Sequence, residues 1–145
     1  METMDYRSPD SNRIVGIVDD EIDITDLFTD ALSQNMEGIS IHGFNDPNIA
    51  FEHFEQNKEY YALIISDLRM PGMNGLELLK KVKTSNPNVR TILMSAFNLE
   101  DNKLYEKYMK ERIIDSAFEK PITINRLCQR VRDELMVYEL AMNLK

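Results

Sequence analysis

Four acidic positions, one serine and one lysine stand where apolar runs stop. The run Arg13–Val18 gives way to Asp19-Asp20-Glu21, and Leu63-Ile64-Ile65 to Ser66-Asp67. The run through Met94 ends in Ser95-Ala96, and a short segment from Ser116 ends in Lys120-Pro121. If the segments carrying Asp19, Asp20 and Asp67 are neighbours, three carboxylates converge. Their mutual repulsion then opposes full ionisation unless a cation intervenes. An all-oxygen donor set of this kind suits Mg²⁺, which keeps several waters and takes one or two carboxylates. No His or Cys stands at these ends, which disfavours zinc. Lys120 adds positive charge and no acceptor, and Ser95 adds a hydroxyl. A cation, a lysine and a hydroxyl around one free carboxylate form a receptor for a phosphoryl group. The carboxylate can itself be the nucleophile, giving an acyl phosphate.

Such groups converge only if the elements behind them stack in register. Ile24, Leu27, Phe28, Ala31 and Leu32 recur at helical intervals and the pattern stops at Gly38. Ile39–Phe44 alternates like a strand. Asp46 is a cap, Pro47 opens a helix, and Ile49, Ala50 and Phe54 share a face. Tyr61–Ser66 reads as a strand. Asn74–Asn86 reads as a helix carrying Leu76, Leu79 and Val82, with Pro87 preventing its continuation. Val89–Ala96 is an apolar strand, Leu99–Glu111 a helix with a polar surface, and Ser116–Lys120 a short strand. A last helix runs from Thr123 to about Asn143 with Leu127, Val131, Leu135 and Tyr138 along one side. Five strand–helix pairs imply an α/β fold with a parallel sheet covered on both faces. Ile14–Val18, Leu63–Ile65 and Ile92–Met94 are nearly all apolar, as central strands buried on two sides must be. In open parallel sheets ligands bind beyond the carboxyl ends of the strands, which is where the acids fall.

A length of 145 residues suits one domain with its own core. Residues 1–12 are polar, carry Pro9 and lack the apolar stretch of a secretory signal; they read as a mobile tail, with 13–145 as the domain. No apolar run reaches the length of a membrane span, so membrane insertion is not expected. The net charge of −8 argues against nucleic-acid binding through the bulk field. One cysteine, Cys128, permits no disulfide framework and fits a cytoplasmic setting; it reads as a small buried or half-buried residue.

The sequences "VDDE", "SDLRMPGMNG", the lone Ser95 and "KP", in this order and with Ser95 28 positions after Asp67, resemble the receiver domain of two-component response regulators, the CheY-like family. The resemblance covers nearly the whole chain. It implies a flavodoxin-like (βα)5 doubly wound sheet in the order 2-1-3-4-5. By position, Asp67 is the expected phosphoacceptor. Asp20 and Asp19 are the pair that holds Mg²⁺, with the Arg69 backbone carbonyl as a further ligand. Lys120 pairs with a phosphoryl oxygen, Ser95 hydrogen-bonds the arriving group, and the Lys120–Pro121 peptide is cis. The implied partners are a sensor histidine kinase or phosphotransfer protein. On the output side stands an unknown protein or a second copy, reached through the face of helix four, strand five and helix five. Arg69 and Phe97, each two positions past a site residue, are expected to tune the lifetime of the phosphoryl group.

The chain departs from that pattern in four places. Ala117 stands where the family usually has an aromatic residue, and Phe118 is one step later; because strand side chains alternate, Phe118 should face the other way. Lys120 stands 25 positions after Ser95, a longer span than the resemblance implies. Asn74 replaces a common Asp, and the last helix is extended. Three other functions compete. A Mg²⁺-dependent phosphohydrolase with an Asp nucleophile wants a second acid two residues on, where Arg69 stands, a side chain that gives up no proton near neutrality. A flavin or nucleotide domain wants a Gly- or Ser/Thr-rich loop after strand one, where the chain has "DDEID". A phosphorylation-independent interaction module remains, because of Ala117. Outside the site, His42 and His53 read as structural or exposed. Tyr105 and Tyr108 read as half-buried packing with a lesser chance of docking, and Lys80–Lys83 as a solvated face.

Overall fold

The computed structural model describes residues 13–144; the tail expected over residues 1–12 lies outside them. Five strands alternate with five helices: β1 (Arg13–Val18), α1 (Ile22–Asn35), β2 (Ile39–Phe44), α2 (Pro47–Asn57), β3 (Tyr61–Asp67), α3 (Gly75–Ser85), β4 (Arg90–Ser95), α4 (Lys103–Lys110), β5 (Ser116–Glu119) and α5 (Ile124–Asn143). All strand pairs are parallel and the sheet order is β2-β1-β3-β4-β5. The expected α/β doubly wound order is therefore the one observed. Chain reversal in order between β1 and β3 leaves a crevice at their carboxyl ends.

Alternation along the strands divides the core in two. Ile14, Val18, Ile64 and Leu93 pack with Phe54, Leu79 and Val82 on the α2–α3–α4 face. Val15, Ile17, Leu63, Ile65, Ile92 and Met94 pack with Phe28, Leu32, Leu127 and Val131 on the α1–α5 face. Every residue of β3 is buried, which makes it the most constrained element in the chain. Cys128 is buried among the second set, as expected.

Helix ends follow local chemistry. The Asp46 carboxylate accepts from Asn48 N–H with Pro47 at the first position of α2. Asn74 and Glu77 form a reciprocal capping box on α3. The chain leaves α1 through Gly38 at φ 73°, a conformation glycine adopts without strain.

Three expectations need correction. The fourth helix begins at Lys103, not Leu99. Asn98 Oδ1 accepts from Glu100 N–H and Asn102 Oδ1 from Tyr105 N–H, so the first asparagine holds a turn and the second starts the helix. Leu27 and Ile49, read as buried-face residues, are 51% and 57% exposed. Strand β3 runs one residue past the expected bound at Ser66, so Asp67, expected at the strand's end, is its last residue.

Candidate functional site: an acidic pocket at the sheet edge

Backbone ladders place the acids. β1 pairs with β3 through Val18 and Ser66, and β3 with β4 through Asp67 and Met94. Asp19 N–H donates to the Phe44 carbonyl at 3.0 Å, Leu68 N–H to Met94 at 2.8 Å, and Lys120 N–H to Ser95 at 2.8 Å. These bonds carry the sheet past its last residues and, with the β1–β3 pairing, tie the carboxyl-terminal ends of all five strands together. Behind Asp67, a Cβ on Gly75 would collide with the Asp67 carbonyl, and Gly75 N–H donates to the Leu68 carbonyl at 2.8 Å. Only a glycine lets α3 begin this close to the strand end.

The three aspartates meet as expected: Asp19, Asp20 and Asp67 each offer a carboxylate oxygen within 4.8 Å of the others. Asp19 is fully buried, Asp67 nearly so, and Asp20 exposed. Lys120 reaches in from the end of β5. Its Nζ lies 3.0 Å from Asp19 Oδ2, 3.2 Å from Asp67 Oδ1 and 3.6 Å from Glu21 Oε1. The Lys120–Pro121 peptide is cis, as the resemblance implies.

The charges act on one another. Burial pushes the Asp67 carboxyl above its ordinary range, and Asp19, with Asp20 behind it, pushes it further; Lys120 opposes both without cancelling them. For Lys120, burial pulls its pKa down. The hydrogen bond and charge of Asp19, then Asp67, overcome that pull and hold the ammonium above the ordinary lysine value. The pocket is therefore short of positive charge, and one lysine does not neutralise it.

Ser95 stands at the end of β4, buried, but its hydroxyl is engaged locally. Oγ donates to the Phe97 carbonyl at 2.8 Å and accepts from Phe97 N–H at 3.0 Å. Arg69 and Phe97 are both exposed, and they meet: the guanidinium carbon lies 4.6 Å from the ring centroid. Phe118 is buried against α1 and α5, whereas Ala117 packs on the opposite cluster. Alternation predicted this, and it removes Phe118 from the α4 side of the sheet. Ala117 instead helps line a groove of about 530 Å³ with Leu99, Tyr105, Ile122, Arg126 and Arg130.

Two features were missed in the sequence. Asn45 donates to the Asp19 carbonyl at 2.8 Å; no local pattern marks an asparagine for contact with a residue 26 positions away. The chain's two histidines, read as structural or exposed, lie against each other with ring centroids 4.8 Å apart and planes tilted by 35°. Their placement on β2 and α2 in an α/β unit is the signal that would have joined them.

A five-stranded doubly wound sheet with a lysine and an acidic triad at its switch point defines a phosphoacceptor-type signalling fold. The chain matches the response regulator receiver domain over residues 15–132, and it belongs to that family. Sporulation initiation phosphotransferase F of Bacillus subtilis (strain 168) is 30% identical over 128 residues, covering 86% of this chain and 94% of that protein. Two-component response regulator ARR5 of Arabidopsis thaliana is 30% identical over 112 residues, which is 76% of this chain and 56% of that one. The chain thus spans nearly all of one relative and little more than half of the other. A response regulator receiver domain protein from Clostridium thermocellum superposes with a TM-score of 0.79 at 21% identity, over 89% of this chain and 98% of that one; this likeness shows the fold. Asp19, Asp20 and Asp67 fit the phosphoacceptor pocket of such a domain. Among the described residues no helix is long and apolar enough to cross a membrane.

Proposed function

We propose that Asp67 accepts a phosphoryl group from a phosphohistidine donor, or from a small donor such as acetyl phosphate, and that residues 13–145 act as one cytoplasmic receiver with an extended last helix. The observation that carries this reading is the convergence of three carboxylates on Lys120 at the end of the most buried strand. An Asp67 oxygen attacks phosphorus in line, and a P–O bond forms. The donor's P–N or P–O bond breaks, its electron pair leaves with the imidazole or acetate, and the imidazole regains a proton. The protein does little covalent work in such a transfer; positioning and charge neutralisation dominate.

The residues fit Mg²⁺. Asp20 would hold it directly, Asp19 mostly through water, and Asp67 and the Arg69 carbonyl would complete the protein ligands. Bound there, Mg²⁺ neutralises charge on the transferring phosphoryl oxygens. Lys120 would turn one of its donors from Asp67 to the phosphoryl group. The Ser95 hydroxyl would exchange its Phe97 carbonyl for a phosphoryl oxygen, drawing the loop after β4 with it. That exchange would bias the α4–β5–α5 face between two populations, and the groove beside Ala117 gives that face a place to engage a partner or a second copy. Exposed Ile22 and Leu27 supply apolar surface on α1, and Leu27 lines a hollow with Ile24, Pro121, Ile122 and the site residue Lys120. Such a surface suits a protein donor that must seat its phosphohistidine over the pocket.

Arg69 supports a regulatory role over turnover of free substrate, because it stands where a hydrolase would need its acid. Incubation with acetyl phosphate and Mg²⁺ followed by intact-mass measurement tests the reading. One hydroxylamine-labile phosphoryl group is expected, absent in Asp67→Asn. An unchanged mass, with a phosphohistidine donor also giving no label, leaves the phosphorylation-independent module in its place.

A further inference from the structure

The loop after β2 carries a side chain that the phosphoryl chemistry does not use. Asn45 Nδ2 donates to the Asp19 carbonyl at 2.8 Å and to Thr25 Oγ1 at 2.9 Å. Thr25 is buried in the first turns of α1 and donates onward to the Ile22 carbonyl at 3.0 Å. The turn between β1 and α1 is therefore gripped from two sides. Glu21 N–H holds the Asp19 carboxylate from within at 2.9 Å, and Asn45 with Thr25 holds the Asp19–Asp20 peptide from without.

The Asp19 N–H and carboxylate are held by the Phe44 carbonyl and Lys120, so the grip matters for the next peptide, whose carbonyl Asn45 holds. Glu21, at the N-cap of α1, makes no side-chain cap hydrogen bond. Among the described residues, no hydrogen bond or ion pair holds the Asp20 side chain, so its carboxylate goes where its backbone sends it. The Asp19 carbonyl belongs to the peptide that leads into Asp20. Rotation of that peptide would move the Asp20 carboxylate relative to Asp19 and Asp67. The approach of α1 is itself prepared by Gly43, where a Cβ would lie 2.9 Å from Thr29 Oγ1 and 3.4 Å from Thr25 Cβ.

We propose that Asn45 and Thr25 are positioning residues that set the affinity of the acidic pocket for a divalent cation by fixing the Asp19–Asp20 peptide. The proposal rests on the Mg²⁺ reading above. Groups that orient a metal ligand from behind commonly change metal affinity about 10–100-fold when removed. Here the bond is to the ligand's backbone, and the lower end of that range is expected.

Isothermal titration of the full chain with MgCl₂ tests it, using wild type, Asn45→Ala, Thr25→Val and Thr25→Ser, each first melted without metal. Weakening of about tenfold is expected for Asn45→Ala and Thr25→Val. Thr25→Ser keeps the hydroxyl and should bind like wild type, separating the hydrogen bond from packing. Wild-type affinity in both Asn45→Ala and Thr25→Val overturns the proposal, including when their metal-free melting falls, since the bracket is then structural only. Wild type that takes up no Mg²⁺ overturns the metal reading itself, a result distinguishable from failure of the bracket.

Discussion

The Arg69 guanidinium lies over the Phe97 ring, 4.6 Å from its centroid, and the two side chains join the loops that follow β3 and β4. Each residue is two positions beyond a group proposed to handle the phosphoryl, and fixing the two loops against each other would slow the approach of water to it. An exposed cation–π contact is worth about 0.5–1 kcal/mol. Truncation of either residue to Ala should therefore shorten the phosphoryl lifetime about two- to fivefold. Decay of labelled protein after removal of donor measures it. Unchanged decay in both variants removes the pair from any role in the lifetime.

Metal should stabilise the folded chain, because it relieves the repulsion that Lys120 leaves over. Mg²⁺ at about ten times its dissociation constant adds about 1.4 kcal/mol. For a chain of this length each kcal/mol moves Tm by about 2–4 °C. A thermal melt with and without MgCl₂ reads this directly, with NaCl of matched ionic strength as control. A melt unmoved by millimolar Mg²⁺ contradicts the site.

Asp67→Asn should lose all phosphoryl label and yet melt higher than wild type in metal-free buffer at neutral pH. The sign follows from the raised carboxyl. The folded state holds this proton more tightly than the unfolded chain. Stability linked to it is full below the unfolded pKa and is lost as pH rises through the higher folded pKa. Asparagine removes that loss, so the advantage of the variant should vanish in acid, where wild-type Asp67 is protonated. A variant less stable than wild type at neutral pH would mean that the bond to Lys120 outweighs burial and the Asp19 charge.

Position in the sheet made much of this site readable from the chain alone. Asp19 and Asp67 follow apolar runs, and a doubly wound sheet sends the ends of such runs to one edge; Lys120 arrives by the same rule. Alternation sufficed to turn Phe118 away from α4. Periodicity did not separate Leu27 and Ile49 from residues that are buried, because exposure depends on how far a neighbouring helix extends. The start of α4 was lost to Asn98 and Asn102, whose side chains compete with the helix for backbone N–H groups. The Asn45 contact and the Ser95 hydroxyl's present partner depend on loop geometry, which no spacing encodes.

Phe118 should behave as a core residue, given its burial among Leu127, Cys128 and Val131. Phe118→Ala is expected to cost about 3–5 kcal/mol in urea unfolding, with phosphoryl uptake by the folded fraction unchanged. A near-neutral substitution would show that Phe118 leaves this cluster readily, and would make it available for switching after all.

Histidine protonation should loosen the β2–α2 side of the sheet. His53 Nδ1 lies 2.6 Å from the Tyr61 hydroxyl, and the Tyr61 ring fills the space that Gly16 leaves open. Burial pushes the phenol well above its ordinary pKa, so the hydroxyl keeps its proton, and it donates to His53 in the neutral tautomer that carries its own proton on Nε2. Protonation puts a hydrogen on Nδ1 and leaves the phenol proton without that acceptor. Burial, and then the facing His42 ring, hold His53 below its ordinary pKa. The folded state therefore binds this proton less readily than the unfolded chain. The linked stability is complete above the unfolded value of about 6.5 and falls as pH drops from there to the lower folded pKa. One proton gives a slope of at most about 1.4 kcal/mol per pH unit, and the half-exposed position of His53 keeps it well below that ceiling. His53→Asn keeps an acceptor near Nδ1 and cannot take up the proton. Urea unfolding at pH 7.5, 6.5 and 5.5 should show wild type losing stability relative to this variant as pH falls. Parallel losses in the two proteins would assign the acid sensitivity to other groups.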